Sequence, residues 1–138
     1  MKPSAELREH ILSLINRSSE KEDKSSQSSP FSQEEGVLVI GTDPDEWWAG
    51  YEVITNAFGN EPEISIVDSN PQTYSEGNIG WMADQSKLKF SDGRVIPIRT
   101  TSVWRKEEGE WKVVQQHVSV GVPNEQIFDY ALPSADTE

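Results

Sequence analysis

Between Ile79 and Val122 the chain runs through three long stretches of alternating apolar and polar residues, broken by two short turn signals. The stretches are IGWMADQSKLKF (Ile79 to Phe90), RVIPIRTTSVWRK (Arg94 to Lys106) and EWKVVQQHVSVGV (Glu110 to Val122), and the turns are SDGR and EEG. Successive strand residues point to opposite faces, so this pattern with Gly-containing turns predicts an antiparallel meander. EISIVDS (Glu63 to Ser69) predicts one further strand, joined to the meander by the turn-rich NPQTYSEGN. No other part of the chain constrains the fold so tightly.

Registering the hairpins sorts the side chains onto faces. A two-residue turn at Asp92-Gly93 places Phe90 opposite Val95 and Asp84 opposite Thr101. A three-residue loop from Glu107 to Gly109 places Arg99 opposite His117 and Ser102 opposite Val114. On that register one face carries Trp81, Ala83, Gln85, Ile98, Thr100, Ser102, Trp104, Val114, Gln116, Val118 and Val120, and reads as the lining of a pocket or core. The other carries Met82, Asp84, Ser86, Arg99, Thr101, Val103, Val113, Gln115, His117 and Ser119, with Asp84, Arg99, His117 and Ser119 as a polar cluster. Both faces are too apolar for water. One is expected beneath the chain's own helices and the other against a second subunit.

Upstream of the sheet, Leu7, Ile11, Leu14 and Ile15 give residues Ser4 to Arg17 the stripe of an amphipathic helix, with Ser4 as N-cap. The segment from Ser18 to Pro30 has no apolar side chain to offset its ordering entropy and reads as a mobile loop. GVLVIG (Gly36 to Gly41) is a short strand. In TDPDEWWAGYEVITNAFGN, Asp43 at N-cap, Pro44 at N1 and Glu46 at N3 predict a helix that aligns Trp47, Tyr51, Ile54 and Phe58 and ends at Gly59 or Asn60. The three acids of DPDE therefore read as capping rather than as a cation site. The order helix, loop, strand, helix, meander predicts one α+β domain over residues 1–138, with helices on one face of a curved sheet. Residues 123–138 form an irregular tail whose Ile127, Phe128 and Tyr130 are available to pack on a neighbour.

Charge and composition narrow the function. Twenty-four acidic against twelve basic residues leave a net charge of −12, which repels phosphate backbones and anionic lipid, so nucleic-acid and membrane partners are not expected. Zero cysteines removes disulfides, thiol nucleophiles and thiolate metal sites and fits a cytoplasmic protein. Two distant histidines make no metal ligand set, and the absence of GxGxxG and P-loop patterns points to no cofactor.

The candidate residues each carry two readings. His117 and Asp84 fit a general acid–base pair, or an imidazole held structurally by Asp84, Ser119 or a neighbouring subunit. Arg99 suits a bidentate carboxylate contact, or an ion pair within the sheet. Trp48, Trp81 and Trp104 suit an aromatic wall for a flat ligand, or core packing. Tyr51 has a hydroxyl free to point into a cavity. The pocket expected from these residues is lined by Trp48, Tyr51, Trp81, Thr100, Ser102, Trp104, Gln116 and Val118. His10, alone on the first helix, reads as a surface residue.

Arg99, Thr101, Val103-Trp104, Gly109, Trp111, Val113-Val114 and the closing His117-x-Ser119 resemble the C-terminal hairpin of SnoaL-like domains in the nuclear transport factor 2-like superfamily. VIGTDPDEWWAG also resembles the segment those domains place before their third helix. The resemblance spans most of the chain beyond residue 35. It implies a cone-shaped domain in which a curved antiparallel sheet holds helices on its concave face, with a pocket between, and a homodimer formed through the sheet. It implies no particular reaction; the aromatic wall and the missing isomerase residues point to a small domain binding a hydrophobic or aromatic molecule without assigned catalysis. The alternative is an isomerase, cyclase or dehydratase that uses Asp84 and His117. The acid group that ketosteroid isomerases place in this hairpin falls at Thr101 or Ser102 here, and the first helix lacks their tyrosine, so that constellation is absent.

Overall fold

A computed structural model describes residues 1–19, 29–59 and 64–129. Its element order is β1 (Lys2–Pro3), α1 (Ala5–Ser19), β2 (Leu38–Ile40), β3 (Trp47–Ala49), α2 (Tyr51–Gly59), β4 (Ile64–Val67), β5 (Gln72–Glu76), β6 (Ile79–Phe90), β7 (Val95–Glu107), β8 (Glu110–Ser119) and α3 (Asn124–Asp129). The strands build one sheet in the order β1-β5-β6-β7-β8-β2-β3, and β4 pairs with the far half of β6. The sheet is mixed rather than wholly antiparallel, because β2 runs parallel to β8.

The meander forms as its alternation predicts, but on a different register. In the first hairpin Lys89 pairs with Val95 and Asp84 with Thr100. The loop is three residues long, Ser91 to Gly93, closed by bonds from Phe90 N to Arg94 O and from Gly93 N to Phe90 O, both 2.9 Å. Gly93, at φ 92°, takes the left-handed position such loops require. The odd residue flips every β6 side chain to the other face. In the second hairpin Glu107 pairs with Glu110 across two residues, Glu108 and Gly109, both at positive φ. A bulge follows. Trp104 pairs with Val113 but Val103 with Gln115, so Val114 is the extra residue. This bulge returns β8 beyond Val114 to the anticipated faces, while Val113 moves to the core.

One face, the inner one, buries Met82, Asp84, Ser86, Ile98, Ser102, Trp104, Trp111 and Val113. Helix α1 covers part of it, placing Leu7 and Ile11 against Met82, Trp104, Trp111 and Val113. Ser4 caps α1 by accepting the Leu7 amide at 3.1 Å. Gly80 permits the close approach: a Cβ there would lie 2.7 Å from Leu7 Cδ2 and 3.0 Å from the Tyr74 carbonyl. A second cluster joins Val37, Val39 and Ile54 with Trp48, Tyr51 and Phe31.

Elsewhere four local expectations need correction. The signature at Asp43 makes its bonds, with Glu46 Oε1 accepting the Asp43 amide at 2.8 Å. It closes the β2–β3 hairpin instead of starting a helix, and Trp47 belongs to a strand. The helix begins eight residues later, where Gly50, at φ 99°, turns the chain and its carbonyl accepts the Ile54 amide at 3.0 Å. Gln72–Glu76, read as part of a link, is strand β5. Within the tail, Asn124–Asp129 is helical, and residues 130–138 lie outside the described residues. Most of the predicted loop, 20–28, also lies outside them, and α1 extends to Ser19.

Candidate functional site

The register decides which candidates share a face. The central inner row runs Trp48–Val39–Gln116–Ser102–Met82–Thr73, each residue opposite the next. The neighbouring inner row pairs Val118 with Thr100 and Thr100 with Asp84. Of the eight residues expected to line a pocket, Trp48, Thr100, Ser102, Trp104, Gln116 and Val118 are on this face, and Tyr51 packs with Trp48 in the second cluster. Trp81 is not among them. It faces outward and stacks on Tyr74 with ring centroids 4.9 Å apart.

Thr100, Gln116 and Val118 are half-buried on the inner face. The same face carries aromatic groups. Trp48 meets the edge of Phe58 at 5.5 Å, and Phe58 stacks on Phe31 at 5.4 Å. The indole N–H of Trp104 donates to the Ser102 hydroxyl at 2.7 Å. With that bond made, the buried tryptophan needs nothing further and offers a ligand only its ring.

Asp84 and His117 do not meet. Asp84 is buried on the inner face, where its carboxylate accepts the Ser69 hydroxyl at 2.6 Å and the Asn70 amide at 3.0 Å. Both bonds pin the link between β4 and β5. His117, opposite Thr101, is exposed on the outer face. The expected acid–base pair is therefore separated by the sheet itself, as is Asp84 from the polar cluster. Arg99, His117 and Ser119 do share the outer face, with Arg99 opposite Ser119.

The histidine that reaches inward is His10. It follows Leu7 by three residues and precedes Leu14 by four, which places it on the buried stripe of α1. Its ring meets Trp104 edge-on at 5.8 Å. Burial holds its imidazole below the ordinary value, against the opposing pull of Glu110 and a hydrogen bond to the Trp111 backbone. That spacing was visible in the sequence, and it is the signal that marks His10 as more than a surface residue. At the base of the same helix Glu6 bonds Lys106 and accepts the Trp111 indole N–H at 3.1 Å. The Lys106 hydrogen bond keeps the Glu6 carboxyl below its usual range. Glu107 is held low as well: burial raises it, but bonds from Ser32 and Arg105 outweigh that. These pairs anchor the helix and the strand ends. Among the described residues no group of three His, Cys, Asp or Glu side chains is arranged to hold a metal ion.

An open depression of about 550 Å³ lies elsewhere, lined by Asp68, Gln85, Ser86, Lys87, Pro97, Ile98, Arg99, Val120 and Gly121. Gln85, Lys87, Pro97 and Arg99 face outward while Ser86 and Ile98 face inward, so the depression takes in both faces at the end of the sheet just beyond Ser119, and Thr100 and Val118 are not among its walls.

Comparison with known proteins agrees with this architecture. A family model described as a SnoaL-like domain matches residues 10–123. Among curated proteins no match is found. A nuclear transport factor 2-like protein of unknown function from Pseudomonas putida KT2440 superposes with a TM-score of 0.68 at 14% identity, over 88% of this chain and 89% of that one. A calcium/calmodulin-dependent protein kinase II association domain, so described provisionally, from Xanthomonas campestris gives 0.65 at 18% identity, over 90% and 96%. A candidate ketosteroid isomerase from Parabacteroides distasonis gives 0.61 at 20% identity, over 82% and 86%. At these identities the likeness shows the fold alone.

Proposed function

The chain belongs to the SnoaL-like domain family, and on that premise we propose that it is a homodimer that binds a small hydrophobic or aromatic molecule on the inner face, with no catalysis assigned. One observation carries the reading: Thr100, Gln116 and Val118 lie half-buried on the inner face, the face that also carries Trp48 and Trp104. Two polar side chains among aromatic rings suit a ligand held by its apolar body and oriented by one or two hydrogen bonds. The acid–base alternative loses its motivation, since Asp84 is engaged by Ser69 and Asn70 and His117 is on the other face.

The dimer part of the proposal is supported by the outer face. There Tyr74, Trp81 and Val103 form one row, and Ala83, Thr101, His117, Ile40 and Trp47 the next. Trp47 leaves 62% of its surface exposed, and exposed aromatic area on a sheet face suits an interaction surface. A cytoplasmic setting fits the absence of cysteine. No helix among the described residues is long and apolar enough to cross a membrane.

The binding part is tested with N-phenyl-1-naphthylamine, a neutral fluorophore that brightens on leaving water. The wild-type chain is expected to bind it saturably. Thr100→Trp, which fills this part of the inner face, is expected to abolish the signal while circular dichroism stays unchanged. Equal binding by a folded Thr100→Trp chain would overturn the inner-face site.

A further inference from the structure

Helix α3 has no buried residue against the rest of the described chain. It has six residues and carries Ile127 at 51% and Phe128 at 80% exposure. An isolated helix below about 12 residues is not stable in water, and exposed aromatic area adds to the cost. Such a helix needs a surface to lie on. Glu125, Phe128 and Asp129 stand at i, i+3 and i+4, so one of its faces presents an aromatic ring between two carboxylates.

The depression at the Arg99 end of the sheet complements that face. Its walls include Pro97 and the exposed Val120, with the buried Ile98 beneath them, an apolar bed for a ring. Of its two cations, Lys87 is engaged by Asp68 at 3.1 Å. Arg99 is exposed and has no hydrogen-bond or ionic partner among the described residues, and its guanidinium lies over Gly121, 3.9 Å from where a Cβ would stand. A guanidinium with no partner among the described residues, standing above an apolar hollow, suits an anionic counterpart. A carboxylate-flanked phenyl ring is its natural counterpart.

We propose that α3 of each copy docks in the Arg99 depression of a second copy, so that the two chains exchange their C-terminal helices. Docking within one chain is disfavoured by the connection. Val120 and Gly121 are themselves walls of the depression, and only Val122 and Pro123 separate them from α3. Proline holds its preceding residue extended, which carries the helix away from the rim instead of folding it back. Two-fold symmetry makes the contact reciprocal at no added requirement. The inference rests on the homodimer proposed above and adds to it a specific contact.

The chain has no cysteine, so single introduced cysteines report cleanly. A tagged Ile127→Cys copy, which keeps Phe128 and both acids, is mixed with an untagged Pro97→Cys copy and mildly oxidised. A disulfide heterodimer is expected, well above the yield with a Ser13→Cys control on the exposed side of α1. Phe128→Asp in the first copy, or Arg99→Glu in the second, is expected to bring the yield down to the control. Sedimentation of the wild-type chain reports the dimer independently. A dimer mass with no 97–127 cross-link above control overturns the exchange and leaves the sheet dimer standing. A monomer mass overturns both. A Pro97→Cys/Ile127→Cys chain that closes its disulfide within one monomer overturns the exchange in favour of docking in place.

Discussion

Gly80 is the position at which the packing of α1 on the sheet can be tested most sharply. A methyl group there would stand 2.7 Å from Leu7 Cδ2, 3.0 Å from the Tyr74 carbonyl oxygen and 3.3 Å from Ser75 Cβ. Carbon atoms in contact are comfortable at about 3.5–4.0 Å, so the first overlap approaches 1 Å. Leu7 has no exposed surface and is hemmed in by Ile11, Met82 and Trp104, which leaves its methyl nowhere to swing. The carbonyl belongs to a paired strand and yields even less. Overpacking of this kind costs about 1–3 kcal/mol, and for a domain of this size that lowers Tm by roughly 3–12 °C. Gly80→Ala is therefore expected to reduce the urea midpoint with its m-value unchanged. Leu7→Ala alone is expected to cost about 2–5 kcal/mol by leaving a cavity. Because the new methyl partly fills that cavity, the double variant is expected to be less destabilised than the sum of the two by about 1 kcal/mol or more. Strict additivity would refute the claim that α1 is seated on Gly80.

Three further outcomes are expected. Asp84→Asn weakens the hold on Ser69 and Asn70 and is expected to cost about 1–3 kcal/mol of stability by chemical unfolding, with binding of the naphthylamine probe retained; loss of binding in a folded chain would return Asp84 to the site. The His10 imidazole is depressed below its ordinary 6.5, so as pH falls from that value the unfolded chain gains the proton first and stability drops until the folded pKa is passed. Urea midpoints across about pH 5–8 are expected to show this slope in the wild type and not in His10→Gln, a window above that of Glu6 and Glu107, which are held below 4.5. Glu108 adopts φ 51° in a turn that prefers Asn-Gly, so Glu108→Asn is expected to stabilise the chain by about 0.5–1 kcal/mol, and a lower thermal midpoint would contradict the turn assignment.

The strands of the meander, α1 with its Ser4 cap and the α+β class were legible because alternation and the 3.6-residue stripe are local signals that tertiary contacts reinforce. Register was not. Whether Ser91 joins the turn is decided by where Gly93 takes its left-handed conformation, and that single residue moved Trp81 outward and Asp84 inward. In β8, shortening the second loop by one residue was offset by the Val114 bulge. Gln116, Val118 and His117 thus kept their anticipated faces, although the pairing between them and β7 had changed. Asp43 to Glu46 misled for a different reason: the hydrogen bonds of a capping box also close a four-residue hairpin loop, and only the pairing of Trp47–Ala49 with Leu38–Ile40 tells them apart. Strand β5 escaped notice because its polar residues, Gln72, Thr73 and Ser75, gain their strand character from β6 alone.

On the proposed reading two adjacent residues of one strand do different work: Val118 belongs to the ligand-binding face and His117 to the subunit contact. The direct test measures both properties, probe uptake and sedimentation mass, in Val118→Trp and in His117→Glu. Val118→Trp is expected to lose uptake while keeping a mass of twice 15.5 kDa. His117→Glu, by burying like charge across the interface, is expected to fall to the single-chain mass at low concentration while still taking up the probe. If His117→Glu abolishes uptake and leaves the mass unchanged, the two faces have been assigned the wrong way round.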